Sequence, residues 1–174
     1  MSDGIKVQRQ SSSNLLELVV AIAVVGVFGG LLLQRLLYLQ EYAEMTAMNL
    51  TVANMRTGLR YRTADLLMRD KVSEIATLAD GNPVEWLQNP PESYLGEFDS
   101  KPDTDLHGKW YFDKSRHDLV YTVNNRRHFL PASDQDFTFR WQAVRQHAKD
   151  AGNTGDGSNV QWVTLVQVAG GRWF

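Results

Sequence analysis

The chain contains no cysteine. Disulfide frameworks, zinc fingers, iron–sulfur ligation and thiol nucleophiles are therefore excluded, and no cofactor is expected. Proline is sparse: there are five in 174 residues, and the first is Pro83. An uninterrupted helix is allowed anywhere before it. Positive charge is not in excess, since 18 Lys and Arg stand against 20 Asp and Glu for a formal net charge of −2. This argues against a nucleic-acid partner, which a basic face would recognise. Catalytic signatures are missing as well. His107, His117, His128 and His147 lack the i, i+4 pairing of a helical metal site, and no G-x-S-x-G, P-loop or G-x-G-x-x-G motif occurs. The chain does not read as an enzyme.

What is present is an uneven distribution of apolar residues. From Leu15 to Leu33 every residue is apolar or glycine except Glu17. As a helix this run would measure about 28 Å, close to the ~30 Å hydrocarbon core of a bilayer. It is longer than the apolar core of a removable signal peptide and continues into Leu36, Leu37, Tyr38 and Leu39. An uncleaved membrane anchor, or one processed on its N-terminal side, fits. Lys6, Arg9 and the amino terminus precede the run, and Arg35 follows it. That bias favours a cytoplasmic N-terminus, with the remainder beyond the membrane. Gly26 and Gly30 form a G-x-x-x-G pair. Such a pair lets a second helix approach closely, although glycine is also simply common in membrane helices.

The helical signal continues past the apolar run. Met45, Met48, Val52, Met55 and Leu59 recur at steps of three and four, and Glu44, Arg56 and Arg60 are among the polar residues assigned to the opposite face. The pattern predicts one helix from about Asn14 to about Arg62, roughly 70–75 Å long, or two helices broken near Gly29–Gly30 or Gly58. A second helix is expected over Ala64–Leu78, stopped by Asp80-Gly81, and then a capped turn at Asn82-Pro83. NPPESYLGEFDSKPD reads as an irregular connection. Four strands follow: KWYF, LVYTV, FTFRWQAV and VQWVTLVQV. With brief connections they suggest an antiparallel meander packed by one face on the long helix. DKSRHD is a six-residue turn in which His117 and Asp118 would face solvent. Arg126-Arg127-His128 reads as a solvated turn or a subunit contact. The tract 149–159 is a loop in which Asp150, Asn153, Asp156 and Asn159 are weak calcium-ligand candidates, without the spacing of an EF-hand.

The stretch SNLLELVVAIAVVGVF resembles the N-terminal signature of type IV pilins and of type II secretion pseudopilins. That signature is a short basic leader, a small residue at the cleavage point, and an apolar helix with a glutamate fifth from the new N-terminus. Glu17 is fifth if the cut falls between Ser12 and Ser13, and Gly26 matches a glycine common in that helix. NPVEWL, SYLGE, WYFD and LVYTV are similar to segments of minor pilin-like proteins. The resemblance implies a pilin-like α+β fold. Its parts would be a leader over 1–12, a transmembrane half-helix over 13–35, and a periplasmic amphipathic half over 36–63. A helix and loop connection over 64–107 and an antiparallel sheet of about four strands over 108–174 complete it. The resemblance further implies cleavage and N-methylation at Ser12 and Ser13, and pairing of Glu17 with the free amine of a neighbouring subunit. Other pilin or pseudopilin subunits, the prepilin peptidase, an inner-membrane platform protein and membrane lipid would be partners, at the bacterial inner membrane. Ser12 stands where the family has glycine, and the C-terminal cysteine pair of many pilus-forming pilins is absent. The missing cysteine pair favours a minor subunit or pseudopilin, while Ser12 bears on cleavage of the leader. The rival from another class is a signal-anchored periplasmic binding or sensor domain, with the stripe Met45–Leu59 as a dimer seam. A membrane-anchored hydrolase lacks any catalytic constellation.

Overall fold

A computed structural model describes residues 8–132, 136–147 and 161–173, and the side chains of 15–132, 136–146 and 162–173. The chain divides into two compact units, Met1–Tyr42 and Ala43–Phe174. Its first element, helix α1, spans Gln8–Met68 and so contributes to both units. It is longer at each end than the apolar periodicity predicted, and it is not broken at Gly29, Gly30 or Gly58.

In the second unit the apolar stripe of α1 is buried. Met48, Val52, Met55 and Leu59 are each 5% exposed or less. They belong to one core with Trp110, Phe112, Leu119, Tyr121, Phe139, Trp141, Val163 and Leu165 from the sheet. The stripe is therefore covered by the same chain and leaves no seam for a second copy, which corrects that part of the rival reading.

Helix α1 ends where Asp70 takes a left-handed backbone, φ 58°. Lys71 N–H donates to the Leu66 carbonyl at 2.9 Å and Asp70 N–H to that of Leu67 at 3.2 Å. This is the paired closure of a Schellman stop, with aspartate where glycine is usual. The expected helix over Ala64–Leu78 is thus divided. Its start belongs to α1, and its remainder is a single turn, α2 (Val72–Ile75), running into a 3-10 segment at Ala76–Asp80. The cap at Asn82 is as expected: its side-chain oxygen accepts from Val84 N–H at 3.0 Å and opens a 3-10 turn over Pro83–Trp86. Gly58 permits a close crossing here. A Cβ at this position would lie 2.1 Å from the Trp86 carbonyl oxygen.

The four strands read from the sequence are β2 (Trp110–Asp113), β3 (Asp118–Thr122), β5 (Thr138–His147) and β6 (Gln161–Ala169). Each pairs antiparallel with the next. The sheet has a fifth strand, β1 (Tyr94–Phe98), and the order is β1-β2-β3-β5-β6. Strand β1 runs parallel to β2, so the sheet is mixed and not wholly antiparallel. It lies in the segment read as irregular. Its half-buried pattern and an irregularity between Tyr94 and Glu97 suit an edge strand, which needs partners on one side only. Two short strands, β4 (Phe129–Leu130) and β7 (Arg172–Trp173), form a separate ribbon.

Side chains alternate across the sheet. On β3, Leu119 and Tyr121 face the α1 core, while Val120 faces away and packs with Leu106, Tyr111 and Phe98 in a smaller cluster. The connection from β1 to β2 supplies Leu106 and so covers part of the far face.

Candidate functional site

In the first unit, α1 presents the apolar run. Leu15, Leu16, Val25, Phe28 and Leu32 are among its large side chains, and each is more than half exposed. An apolar surface of this extent is not left in water. Among the described residues, this helix alone is long and apolar enough to cross a membrane, and it has the composition of a membrane anchor. Arg35 lies over the Tyr38 ring at 5.7 Å, a cation and an aromatic at the end of the run. Glu17 and Arg35 are about 27 Å apart along the axis at 1.5 Å per residue. That separation is close to the ~30 Å thickness of a bilayer's apolar layer.

Glu17 is exposed on this helix. Gly26 is nine residues further on, about two and a half turns, and Gly30 is about one turn beyond that. The carboxylate and the G-x-x-x-G pair therefore occupy opposite sides of α1. A Cβ at Gly26, Gly29 or Gly30 would meet nothing within 4 Å. The glycine side is open to a second helix. Ser12 and Ser13 fall within the bounds of α1, but their side chains lie outside the described residues. Asp150, Asn153, Asp156 and Asn159 lie outside them altogether. Among the described residues no group of three or more His, Asp or Glu is placed to hold a metal ion.

The second unit contains a polar anchor that the sequence reading put on the solvated face. Glu44 receives the Tyr121 hydroxyl at 2.9 Å, Asn124 N–H at 2.6 Å, and Asn125 through both N–H and Nδ2 at 3.0 Å. Both carboxylate oxygens are used, and the loop after β3 is fixed to α1. Burial, then the Glu44 charge and the hydrogen bond to it, push the Tyr121 phenol far above its usual range. The available signal was position: Glu44 lies one turn before Met48, on the buried side.

Asp118 corrects another expectation. It is 1% exposed, not solvated, with Arg116 Nε at 3.3 Å and Arg140 Nη1 at 3.7 Å. Asp113 and Asp118 pair as the last residues of the ladder, so the turn is the four residues Lys114–His117. His117 is exposed, as expected, and its Nδ1 lies 3.2 Å from the Asp80 carbonyl oxygen. Arg126, Arg127 and His128 are exposed, and Arg126 lies over the Phe137 ring at 4.4 Å. No family model matches the chain, and neither a curated protein nor a solved structure matches it.

Proposed function

We propose that this chain is a structural subunit of the type IV pilin and pseudopilin kind, a minor component that joins a periplasmic filament through its N-terminal helix. The observation that carries the reading is the placement of Glu17. It is the one ionisable residue of the exposed apolar run 15–33 of α1, near one end and opposite a G-x-x-x-G pair. A carboxylate in hydrocarbon costs several kcal/mol at the centre and less toward an edge. In a filament the amine of a neighbour, freed by cleavage before Ser13, would pair with it. In low dielectric that pair would fix the stagger between subunits. The long helix packed on a sheet supports the same reading.

In this proposal the N-terminus is cytoplasmic and residues beyond Arg35 are periplasmic at a bacterial inner membrane. A cytoplasmic ATPase and a platform protein would drive extension. The partners are other such subunits, the prepilin peptidase and lipid. A signal-anchored binding or sensor domain is the second reading, and a polar pocket on the far face of the sheet favours it.

Intact mass is the first test. A mature chain starting at Ser13 with a methylated amine supports the proposal, and a secretory-type cut after Leu33 excludes it. Because the chain has no cysteine, a single cysteine at Leu16 or Val27 reports helix contacts without background. Disulfide-linked dimers are expected on oxidation in the presence of the assembly machinery. Glu17→Gln is expected to remain membrane-bound but to enter the assembly at least tenfold less. Normal incorporation of that variant would remove the role given to Glu17.

A further inference from the structure

A polar pocket of about 310 Å³ lies on the face of the sheet turned away from α1. That volume is at the small end of ligand pockets, about 300–1,000 Å³. Its floor is the cross-strand pair Thr122 and Thr138. Lys101, from the β1–β2 connection, and Arg126, from the loop after β3, line it together with Phe137 and Asp136.

Three features make this a built site. Thr122 lines the pocket and is 7% exposed; its hydroxyl oxygen is buried and, among the described residues, has no hydrogen-bond partner. A buried hydroxyl without a partner is costly unless something brought to it completes the bond. Thr138 differs, since its hydroxyl donates to Asp136 Oδ1. Secondly, Arg126 is held in place. Its guanidinium lies over Phe137, and its Nη2 is 2.9 Å from His107 Nε2. His107 Nδ1 is in turn 2.6 Å from Asp105 Oδ1. With Nδ1–H donating to that carboxylate, Nε2 is left as the acceptor for Arg126. A cation fixed in advance loses less freedom when it binds. Thirdly, among the described residues the lining charges are Lys101 and Arg126 against Asp136. Asp136 is itself near Arg140, with Oδ2 3.9 Å from Nη2.

We infer that this pocket binds a small organic monocarboxylate. The guanidinium fork matches the two oxygens of a carboxylate. Lys101 supplies the second positive charge, and a turn about χ1 of Thr122 brings its hydroxyl to the ligand as a donor. A phosphate dianion would set a second negative charge against Asp136. The inference does not depend on filament assembly.

The test is isothermal titration of the full chain in nonionic detergent micelles with acetate, lactate, inorganic phosphate and choline. Saturable binding of a carboxylate is expected, with phosphate weaker and choline silent. Thr122→Val keeps the shape and removes the hydroxyl. It should weaken carboxylate binding about tenfold and leave thermal stability unchanged or raised. Arg126→Gln should weaken binding tenfold or more. If Arg126→Gln does not fold, Lys101→Gln, on an exposed residue, takes its place with the same expectation. Absence of carboxylate binding to the unmodified chain overturns the inference. So does binding within twofold of normal in Thr122→Val, or phosphate binding tighter than both carboxylates.

Discussion

The carboxylate of Glu44 and the hydroxyl of Tyr121 are joined at 2.9 Å although 77 residues separate them in the chain. This bond, with those from Asn124 and Asn125, ties the buried stripe of α1 to the end of β3. Glu44→Ala should lower the stability of the second unit by about 3 kcal/mol, because backbone donors lose a charged acceptor. Glu44→Gln, which keeps one acceptor oxygen, should cost about half as much. A cycle combining Glu44→Ala with Tyr121→Phe should show coupling of about 1 kcal/mol. Urea unfolding followed by tryptophan fluorescence measures all three.

The same contact sets a response to alkaline pH. Tyr121 has a raised phenol pKa in the folded chain, chiefly from burial and then from Glu44. Its contribution to stability is therefore complete below about pH 10, the ordinary value for tyrosine. It declines as pH rises past that value, because the unfolded chain ionises first. Burial also raises Tyr94 and Tyr111. Ultraviolet titration of the six tyrosines should show a late-ionising fraction that shrinks in Tyr121→Phe. That variant should also lose less stability between pH 9 and about 11.

Gly58 is expected to tolerate no side chain. Its Cβ would collide with the backbone of Trp86, which cannot rotate aside. Glycine inside a helix costs about 1 kcal/mol relative to alanine, so on propensity alone Gly58→Ala should stabilise. The collision reverses the sign. A net loss of about 2 kcal/mol is expected, checked by the thermal midpoint of the full chain.

Asp70 offers the opposite case. Its left-handed backbone is unfavourable for a residue with a Cβ and free of that strain for glycine. Asp70→Gly should stabilise the second unit by about 0.5–1 kcal/mol, less the extra freedom gained by the unfolded chain. Urea unfolding should detect it as a higher midpoint with an unchanged slope.

The sequence was most legible where one rule acted over several residues. The stripe from Met48 to Leu59 and the alternation in β3 and β5 each repeat a period, and Asn82-Pro83 is a local cap. Elements fixed by distant partners were hidden. Strand β1 carries prolines before it and glycine within it. It forms because β2 offers a free edge, and no pattern in SYLGEF states that. The strands β4 and β7 are two residues each and exist only as a pair. Asp118 looked like a turn aspartate, but its burial depends on Arg140, brought beside it by β5. Glu44 sits at the margin of the stripe, and only the folded loop supplies its donors. For the apolar helix, the positions of Glu17, Gly26 and Gly30 were plain, whereas the opposition of their faces needed the helical repeat to be followed over thirteen residues.

That opposition has a consequence for how copies would join. If the carboxylate side of one helix meets a neighbour while the glycine side meets another, the two contacts are unlike. Contacts of this kind are heterologous: repetition gives either a closed ring or an open row with two distinguishable ends. An open row of such subunits has a direction, and units can be added at one end by a rule that does not apply at the other.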